Sequence, residues 1–234
     1  MKKISYKSVL IIGMGLIGSS IARIIKEKKI AQNVNSLDNN KLINNKTKKL
    51  RIVDKVYEDF NDISSQFDLI FICTPLSSYK NIFKKLNTFV KQPTLVTDVG
   101  STKVSVINDF KSEINNENIS FLPAHPIAGL EKSGPEHGFA KLFDNRYCIV
   151  TPINPNEKFI DSILNIWISF GMTIEIMEAE RHDRVLAMTS HIPQLIAYSV
   201  VGTATDLEMQ MKDEVIKYSA AGFRDFTRLA GSDP

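Results

Sequence analysis

The chain has 234 residues, 43% of them hydrophobic and 24% charged, which is the ordinary composition of a globular protein. This length indicates one large domain, or one domain with a smaller appendage. The formal net charge of +3 is too small to indicate nucleic-acid binding, whereas a few local cations would be enough to hold a small anionic ligand.

Short apolar strands alternate with helices over the first three quarters of the chain. Strands are predicted at residues 9–12, 34–37, 68–73, 94–97, 119–122, 147–150 and 172–177. The first helix is indicated by Ile17, Ile21 and Ile24, which recur at helical spacing. The Lys- and Asn-rich stretch 39–51 is typical of a solvated loop or helix. Strands that are apolar on both faces and alternate with helices predict an α/β fold with a doubly wound, mainly parallel sheet.

The pattern changes near Glu178, after which no strand is evident. Helical stretches are predicted at residues 181–201 and around 214–220. We therefore expect two domains, an α/β domain over residues 1–178 and a smaller all-helical domain over residues 179–234.

The amino terminus is basic and then apolar, as in a signal peptide, but the apolar run at residues 9–12 is too short for one. No later run approaches eighteen consecutive apolar residues, so we expect no membrane segment and a soluble, cytoplasmic protein. Cys73 and Cys148 each lie inside an apolar run. They are predicted to be buried, reduced thiols and not a disulfide.

A glycine-rich turn follows the first strand and opens the first helix. Gly13, Gly15 and Gly18 form the pattern G-x-G-x-x-G, which in this context predicts a Rossmann dinucleotide-binding turn. The first glycine permits the tight turn, the second lets a pyrophosphate approach the backbone, and the third lets helix and strand pack closely. The intervening Leu16 and Ile17 open the helix whose amino-terminal N–H groups would hold the phosphates.

A carboxylate ends the second strand, twenty residues after the last glycine of the turn. Asp38 at this position would accept hydrogen bonds from a ribose 2′-hydroxyl and repel a 2′-phosphate, which favours NAD over NADP. Lys41 and the basic residues after it keep NADP as the alternative. The strand ending at Thr74 and Pro75 should reach the same crevice, because ligands of open α/β sheets bind outside the carboxyl ends of the strands.

Four further segments carry candidate chemistry: GSTK at 100–103, HPIAGLEKSG at 125–134, SHIP at 190–193 and GFRDFTR at 222–228. Taken singly, each has a structural interpretation. His125 could be a structural histidine at a strand end, and His191 could fill space beside the kink that Pro193 introduces. Arg224, Asp225 and Arg228 could form ordinary ion pairs on an exposed helix.

Taken together, the order of these motifs resembles the prephenate/arogenate (cyclohexadienyl) dehydrogenase family of tyrosine biosynthesis, over essentially the whole chain. The resemblance implies that His125 is the catalytic histidine, that Ser101 orients it, and that Arg228 grips the ring carboxylate of the substrate. It also implies that His191, Glu131 and Asp225 shape the substrate pocket.

The implied reaction is the oxidative decarboxylation of prephenate or arogenate with NAD. A neutral histidine would accept the proton of the C4 hydroxyl as the hydride leaves, and an unperturbed histidine is mostly neutral at cytosolic pH. A planar guanidinium suits a carboxylate of this anionic substrate. No metal is expected, because the four histidines show no ligand spacing.

The resemblance also implies that the chain stops early. Residues 232–234 (Ser-Asp-Pro) lead, in the family, into further helices that complete a homodimer interface and contact substrate, so we expect a fragment of a longer, dimeric protein. Two other functions stay open. One is a β-hydroxyacid dehydrogenase, although the chain leaves little room for the long helical domain of that class. The other is a dinucleotide-sensing or dinucleotide-binding module without turnover.

Overall fold

The computed structural model describes residues 6–130 and 132–211, together with positions 223, 226, 228, 230 and 231. Glu131, Asp225 and the predicted helix around 214–220 lie outside the described residues. The chain divides into two compact units. The first runs to Gly129 and resumes over Ser133–His182, and the second comprises Leu130–Lys132 and the chain from Asp183 onward.

A six-stranded parallel sheet is the centre of the first unit. Its strands are β1 (Tyr6–Ile12), β2 (Ala31–Leu37), β3 (Lys55–Tyr57), β4 (Leu69–Ile72), β5 (Thr94–Asp98) and β6 (Ile119–Leu122). Their spatial order is β3-β2-β1-β4-β5-β6. The order reverses between β1 and β4, and the carboxyl ends of these two strands are where a doubly wound sheet binds its ligand.

Helices cover both faces of this sheet. Successive side chains of a strand point to opposite faces, so the apolar strands need burial on both sides. Val9 and Ile11 belong to one buried cluster, which includes the apolar residues of α1 (Leu16–Glu27) and α5 (Ile160–Ser169). Leu10 and Ile12 belong to another, with α3 (Tyr79–Phe89) and α4 (Val104–Glu113). The predicted doubly wound, mainly parallel sheet is therefore confirmed.

The stretch rich in Lys and Asn forms α2 (Lys41–Leu50), a mostly exposed helix. Asn40 caps it by accepting hydrogen bonds from the backbone N–H groups of Leu42 and Ile43. Such a cap satisfies donors that the first helical turn leaves without intrahelical partners.

A second, three-stranded sheet follows, formed by β7 (Ala124–Pro126), β8 (Tyr147–Val150) and β9 (Thr173–Ile176). β7 is antiparallel to β8 and β8 is parallel to β9. The hydrophobic pattern predicts β8 and β9 but neither β7 nor β3. Both missed strands have only three residues, and such a run is too short to show a hydrophobic period.

From Asp183 to Met211 the second unit is helical. α6 (Ala179–Leu186) continues from the first unit through a π-helical turn (Ala187–His191) into α7 (Ile192–Met211).

This helical run includes Ala179–Leu207, which is long and apolar enough to cross a membrane by length and composition alone. The lack of an uninterrupted apolar stretch predicts no such helix, and this prediction misses an apolar helix that contains a few polar residues. Length and composition do not distinguish a membrane helix from one that packs against protein.

Candidate active site

The glycine turn has the backbone that a Rossmann phosphate-binding turn requires. Gly13 has a φ of +93°, and a Cβ added there would lie 2.6 Å from the carbonyl oxygen of Cys73. A Cβ on Gly18 would lie 2.0 Å from the carbonyl oxygen of Gly13, so only glycine lets α1 pack this closely on the turn.

Gly15 differs from these two because a Cβ there would meet nothing within 4 Å. The open space lies at the N-cap of α1, where Leu16 begins the helix and is buried while Ile17 is partly exposed. The first N–H groups of a helix have no intrahelical partners and attract anions. An open glycine at this position fits a dinucleotide pyrophosphate.

Asp38 directly follows β2 and lies against the glycine turn. One of its carboxylate oxygens accepts a hydrogen bond from the backbone N–H of Met14 at 2.9 Å, and the other accepts one from Asn40 at 2.9 Å. On the other side of the turn, the methyl group of Thr74 would lie 2.9 Å from a Cβ on Gly13, and Pro75 is exposed. The predicted cofactor residues thus surround one turn at the carboxyl end of the sheet.

The backbone that carries His125 is tied to the same end of the sheet by a buried ion pair. Lys103 Nζ lies 2.6 Å from a carboxylate oxygen of Asp98, and both side chains are fully buried. Lys103 also donates to the carbonyl oxygen of Ala124 at 2.7 Å, and Asp98 accepts from the Ala124 N–H at 3.0 Å. The residue before His125 is therefore held through both of its backbone groups.

Asp98 is the centre of this network. It also accepts hydrogen bonds from the backbone N–H of Gly100 and from the hydroxyl of the buried Tyr79. Burial and the negative charge of Asp98 raise the pKa of Tyr79 well above its ordinary value, so the tyrosine stays a neutral donor. The GSTK segment thus contributes its lysine to the support of β7.

His125 is partly exposed, and its imidazole contacts a second histidine. Its Nδ1 lies 2.9 Å from Nε2 of His182, and the ring centroids are 5.1 Å apart. His182 belongs to α6 and is fully buried. The sequence did not single out His182 as a site residue. The available signal was that His182 and Leu186, one helical turn apart, share the buried face of α6.

The other predicted site residues are placed as follows. Ser101 is exposed beyond the end of β5, and no hydrogen bond joins it to His125, although both residues are described. In the second unit, His191 is partly buried at the end of the π-helical turn and Arg228 is exposed on helical backbone. Glu131 and Asp225 lie outside the described residues.

Both cysteines are free thiols. Burial is the main cause that raises the pKa of Cys73 and of Cys148 far above the ordinary value of a thiol. Neither is therefore an activated thiolate at neutral pH. This agrees with the expectation of reduced, inert cysteines, although Cys73 is only partly buried.

The comparisons with known proteins agree with this geometry. Residues 21–176 match the family model "Prephenate dehydrogenase, nucleotide-binding domain" and residues 178–234 match "Prephenate dehydrogenase, dimerization domain". A cyclohexadienyl dehydrogenase of Zymomonas mobilis is 36% identical over 98% of this chain and 78% of its own length. A prephenate dehydrogenase of Lactococcus lactis is 31% identical over 97% of this chain, which spans 62% of that relative.

A solved structure gives the same result for the fold. The crystal structure of prephenate dehydrogenase from A. aeolicus in complex with hydroxyphenyl propionate and NAD+ superposes with a TM-score of 0.89 at 30% identity. The match covers 100% of this chain and 81% of that one. Because both family models match in order and a relative is 36% identical over 98% of this chain, the chain belongs to the prephenate dehydrogenase family.

Proposed function

We propose that the protein is an NAD-dependent dehydrogenase that oxidatively decarboxylates prephenate, arogenate or both. From prephenate the product would be 4-hydroxyphenylpyruvate, the precursor of tyrosine. The observation that carries this proposal is the position of His125, a partly exposed histidine whose strand is fastened to the carboxyl end of the sheet that also bears the glycine turn. The names of the relatives support the same reaction.

His125 would act as the general base. A neutral imidazole accepts the proton of the C4 hydroxyl while the hydride leaves C4, which turns the hydroxyl into the ring carbonyl. Cleavage of the bond between C1 and its carboxylate then releases carbon dioxide, and the electron pair of that bond completes the aromatic ring. No oxidant other than the hydride acceptor is needed.

NAD+, when bound, supplies the acceptor for that hydride. Gly13, Gly15 and Gly18 would hold its pyrophosphate at the amino terminus of α1, with Thr74 and Pro75 beside the turn. Asp38 already directs its carboxylate at the turn, where it hydrogen-bonds the Met14 N–H. A carboxylate there favours the ribose hydroxyls of NAD over the 2′-phosphate of NADP.

The substrate is a small dicarboxylic acid, so its recognition requires cations and hydrogen-bond donors. We assign Arg228 to the ring carboxylate because a guanidinium donates two parallel hydrogen bonds to a carboxylate. His191, Glu131 and Asp225 are assigned to the walls of the pocket, and Ser101 to the orientation of His125 when substrate is bound. These roles rest on the motif positions of the family.

Two further properties belong to the proposal. The chain would act in the cytoplasm, as a biosynthetic enzyme of the kind that its bacterial relatives represent. The protein would be a homodimer assembled through its helical domain, since residues 178–234 match a dimerization domain.

Absorbance of NADH tests the proposed reaction. The protein is mixed with NAD and, in separate reactions, with prephenate, arogenate and simple β-hydroxyacids. We expect NADH to form with prephenate, with arogenate or with both, and with no β-hydroxyacid. Cofactor binding without turnover would instead favour a sensing module, and turnover with NADP alone would contradict the role given to Asp38.

A further inference from the structure

The contact between His125 and His182 joins two residues that are 57 positions apart in the chain. His182 is fully buried, whereas His125 is partly exposed. The Nδ1–Nε2 distance of 2.9 Å is that of a hydrogen bond, and such a bond needs one proton between the two nitrogens. The location of that proton decides which nitrogen of His125 can act as a base.

Two arrangements are possible when both rings are neutral, since a neutral imidazole has one N–H and one unprotonated nitrogen. If His182 donates, Nδ1 of His125 is the acceptor and its Nε2 carries a proton. Nε2 then cannot accept the proton of a substrate hydroxyl. If His125 donates from Nδ1, its Nε2 is unprotonated and can accept that proton.

Only the second arrangement is compatible with His125 as a general base, because its Nδ1 is already occupied by His182. We propose that His182 is a positioning residue that accepts a hydrogen bond from Nδ1–H of His125 and so keeps Nε2 of His125 unprotonated for the substrate hydroxyl. This inference rests on the proposed function for its catalytic consequence, whereas the tautomer itself is a property of the protein alone.

Burial favours this role. Burial disfavours the charged form of an imidazole, which favours His182 as the acceptor in this hydrogen bond. When His125 takes up a proton, both of its nitrogens carry hydrogen, and the bond from Nδ1–H to His182 becomes charge-assisted and stronger. The acceptor thus stabilises the protonated base that forms during the reaction.

Other titratable groups lie on the elements packed around the pair. Asp98 and Lys103 flank Ala124 but form a fully buried ion pair, so their fields on His125 oppose each other. Cys148 on β8 is neutral because its pKa is raised by burial. On α6, the neighbours of His182 in the chain are charged: Glu180, Arg181, Asp183 and Arg184. Replacement of His182 removes the side chain that contacts the imidazole of His125 and leaves these charged groups in place.

Two variants separate positioning from packing. His182→Leu fills a similar space but accepts no hydrogen bond, and His182→Gln places an amide oxygen near the position of Nε2. We expect His182→Leu to lower kcat/KM with prephenate or arogenate by about tenfold or more, as the loss of an orienting partner does elsewhere. His182→Gln should recover most of that loss. Equal losses of kcat/KM in the two variants would show that His182 contributes only packing.

The pH profile of kcat/KM shifts in a direction that a purely packing role of His182 does not predict. The acceptor stabilises the imidazolium of His125, so His182→Leu should lower the pKa of His125 and move the acid limb of the profile to lower pH. If His182 were instead the donor, its removal would raise that pKa, and the limb would move to higher pH. A shift to higher pH, or none, would overturn the proposal.

A second measurement needs no turnover. Long-range ¹H–¹⁵N correlation spectra of the uniformly labelled protein report which ring nitrogen of each of the four histidines is protonated. At a pH where His125 is neutral we expect its Nδ1 protonated, and in His182→Leu a mixture of tautomers. Protonated Nε2 in the unmodified protein would overturn the inference. A wild-type protein that oxidises neither substrate contradicts the proposed function, and the spectra still decide the tautomer.

Discussion

His125 depends on neighbours from several parts of the chain. The Asp98–Lys103 pair holds the backbone of Ala124, and His182 contacts the imidazole itself. A side chain whose strand and ring are both supported loses little entropy when it reaches the geometry of the reaction. Replacement of the ring should therefore affect the chemical step and leave the cofactor turn intact.

We expect His125→Asn to lower kcat by about 10²–10⁴ because the general base is removed. The affinity for NAD, measured by titration calorimetry, should stay nearly unchanged, since the glycine turn belongs to other elements of the fold. An undiminished kcat would exclude His125 from the mechanism.

Arg228 should act on binding and much less on chemistry. Arg228→Ala removes the proposed partner of the ring carboxylate, so KM for prephenate or arogenate should rise, with the larger part of the loss in kcat/KM appearing in KM. Arg23→Ala is the matched arginine control, because Arg23 donates to the backbone carbonyls of Ser19 and Pro135. An unchanged KM in Arg228→Ala would show that Arg228 does not bind the ring carboxylate and is a surface ion-pair residue.

The element proposed to bind the cofactor is the turn between β1 and α1, where Gly15 and Gly18 are needed for different reasons. Gly18→Ala should destabilise the fold by about 1–3 kcal/mol or more, because its Cβ would lie 2.0 Å from the carbonyl oxygen of Gly13.

Gly15→Ala should lower the free energy of unfolding by at most about 1 kcal/mol, the scale of an N-cap change. The Gly15→Ala variant should nevertheless bind NAD much more weakly, because the added Cβ occupies the open space at the N-cap of α1. Urea unfolding and NAD titration of both variants measure the two effects. Wild-type NAD affinity in Gly15→Ala would place the pyrophosphate elsewhere.

The link between β5, α4 and β7 is the buried Asp98–Lys103 pair. Lys103→Met leaves a buried carboxylate without its cation, which should cost about 3–5 kcal/mol of unfolding free energy. Lys48→Met is the control, since Lys48 and Glu58 form an exposed pair at 3.4 Å that contributes at most about 1 kcal/mol. Denaturant unfolding of the two variants gives the comparison. Similar losses in both would show that the Asp98–Lys103 pair is not a major support of β7.

On the scale of the whole molecule, the helical unit exposes apolar side chains in its described part. Those on α6, the π-helical turn and α7 are Val185, Met188, Ile192, Leu195, Ile196, Tyr198 and Leu207. Exposed apolar residues in such number are typical of a surface that another chain covers. The proposed homodimer would account for them.

We expect the protein to self-associate and Leu195→Glu to weaken that association, because the charge would have to be buried in the interface. Leu42→Glu is the control, since Leu42 is 73% exposed on α2 of the first unit and Leu195 is 63% exposed. Sedimentation equilibrium over a range of concentrations measures both. Equal association of the two variants would place the interface elsewhere.

The features that the sequence predicts correctly are those encoded in neighbouring residues. Strand–helix alternation is visible because burial on both faces requires continuous apolar runs such as residues 9–12. The glycine turn and Asp38 are visible because turn geometry and cofactor chemistry set their spacing. The residues at which strands begin and end are predicted less well. β1 begins at Tyr6, before the apolar run, because the ladder to β2 pairs backbone groups whatever the side chain.

Only the tertiary structure decided what supports His125, the proposed general base. Its contact with His182 spans 57 positions and the bonds from Asp98 to Ala124 span 26, distances over which no periodicity or spacing operates. The division of the strands into two sheets was decided in the same way, since β7 has three residues and is a strand only through its pairing with β8. Local pattern determines which segments are apolar or can turn, whereas the pairing of distant segments depends on packing of the whole chain.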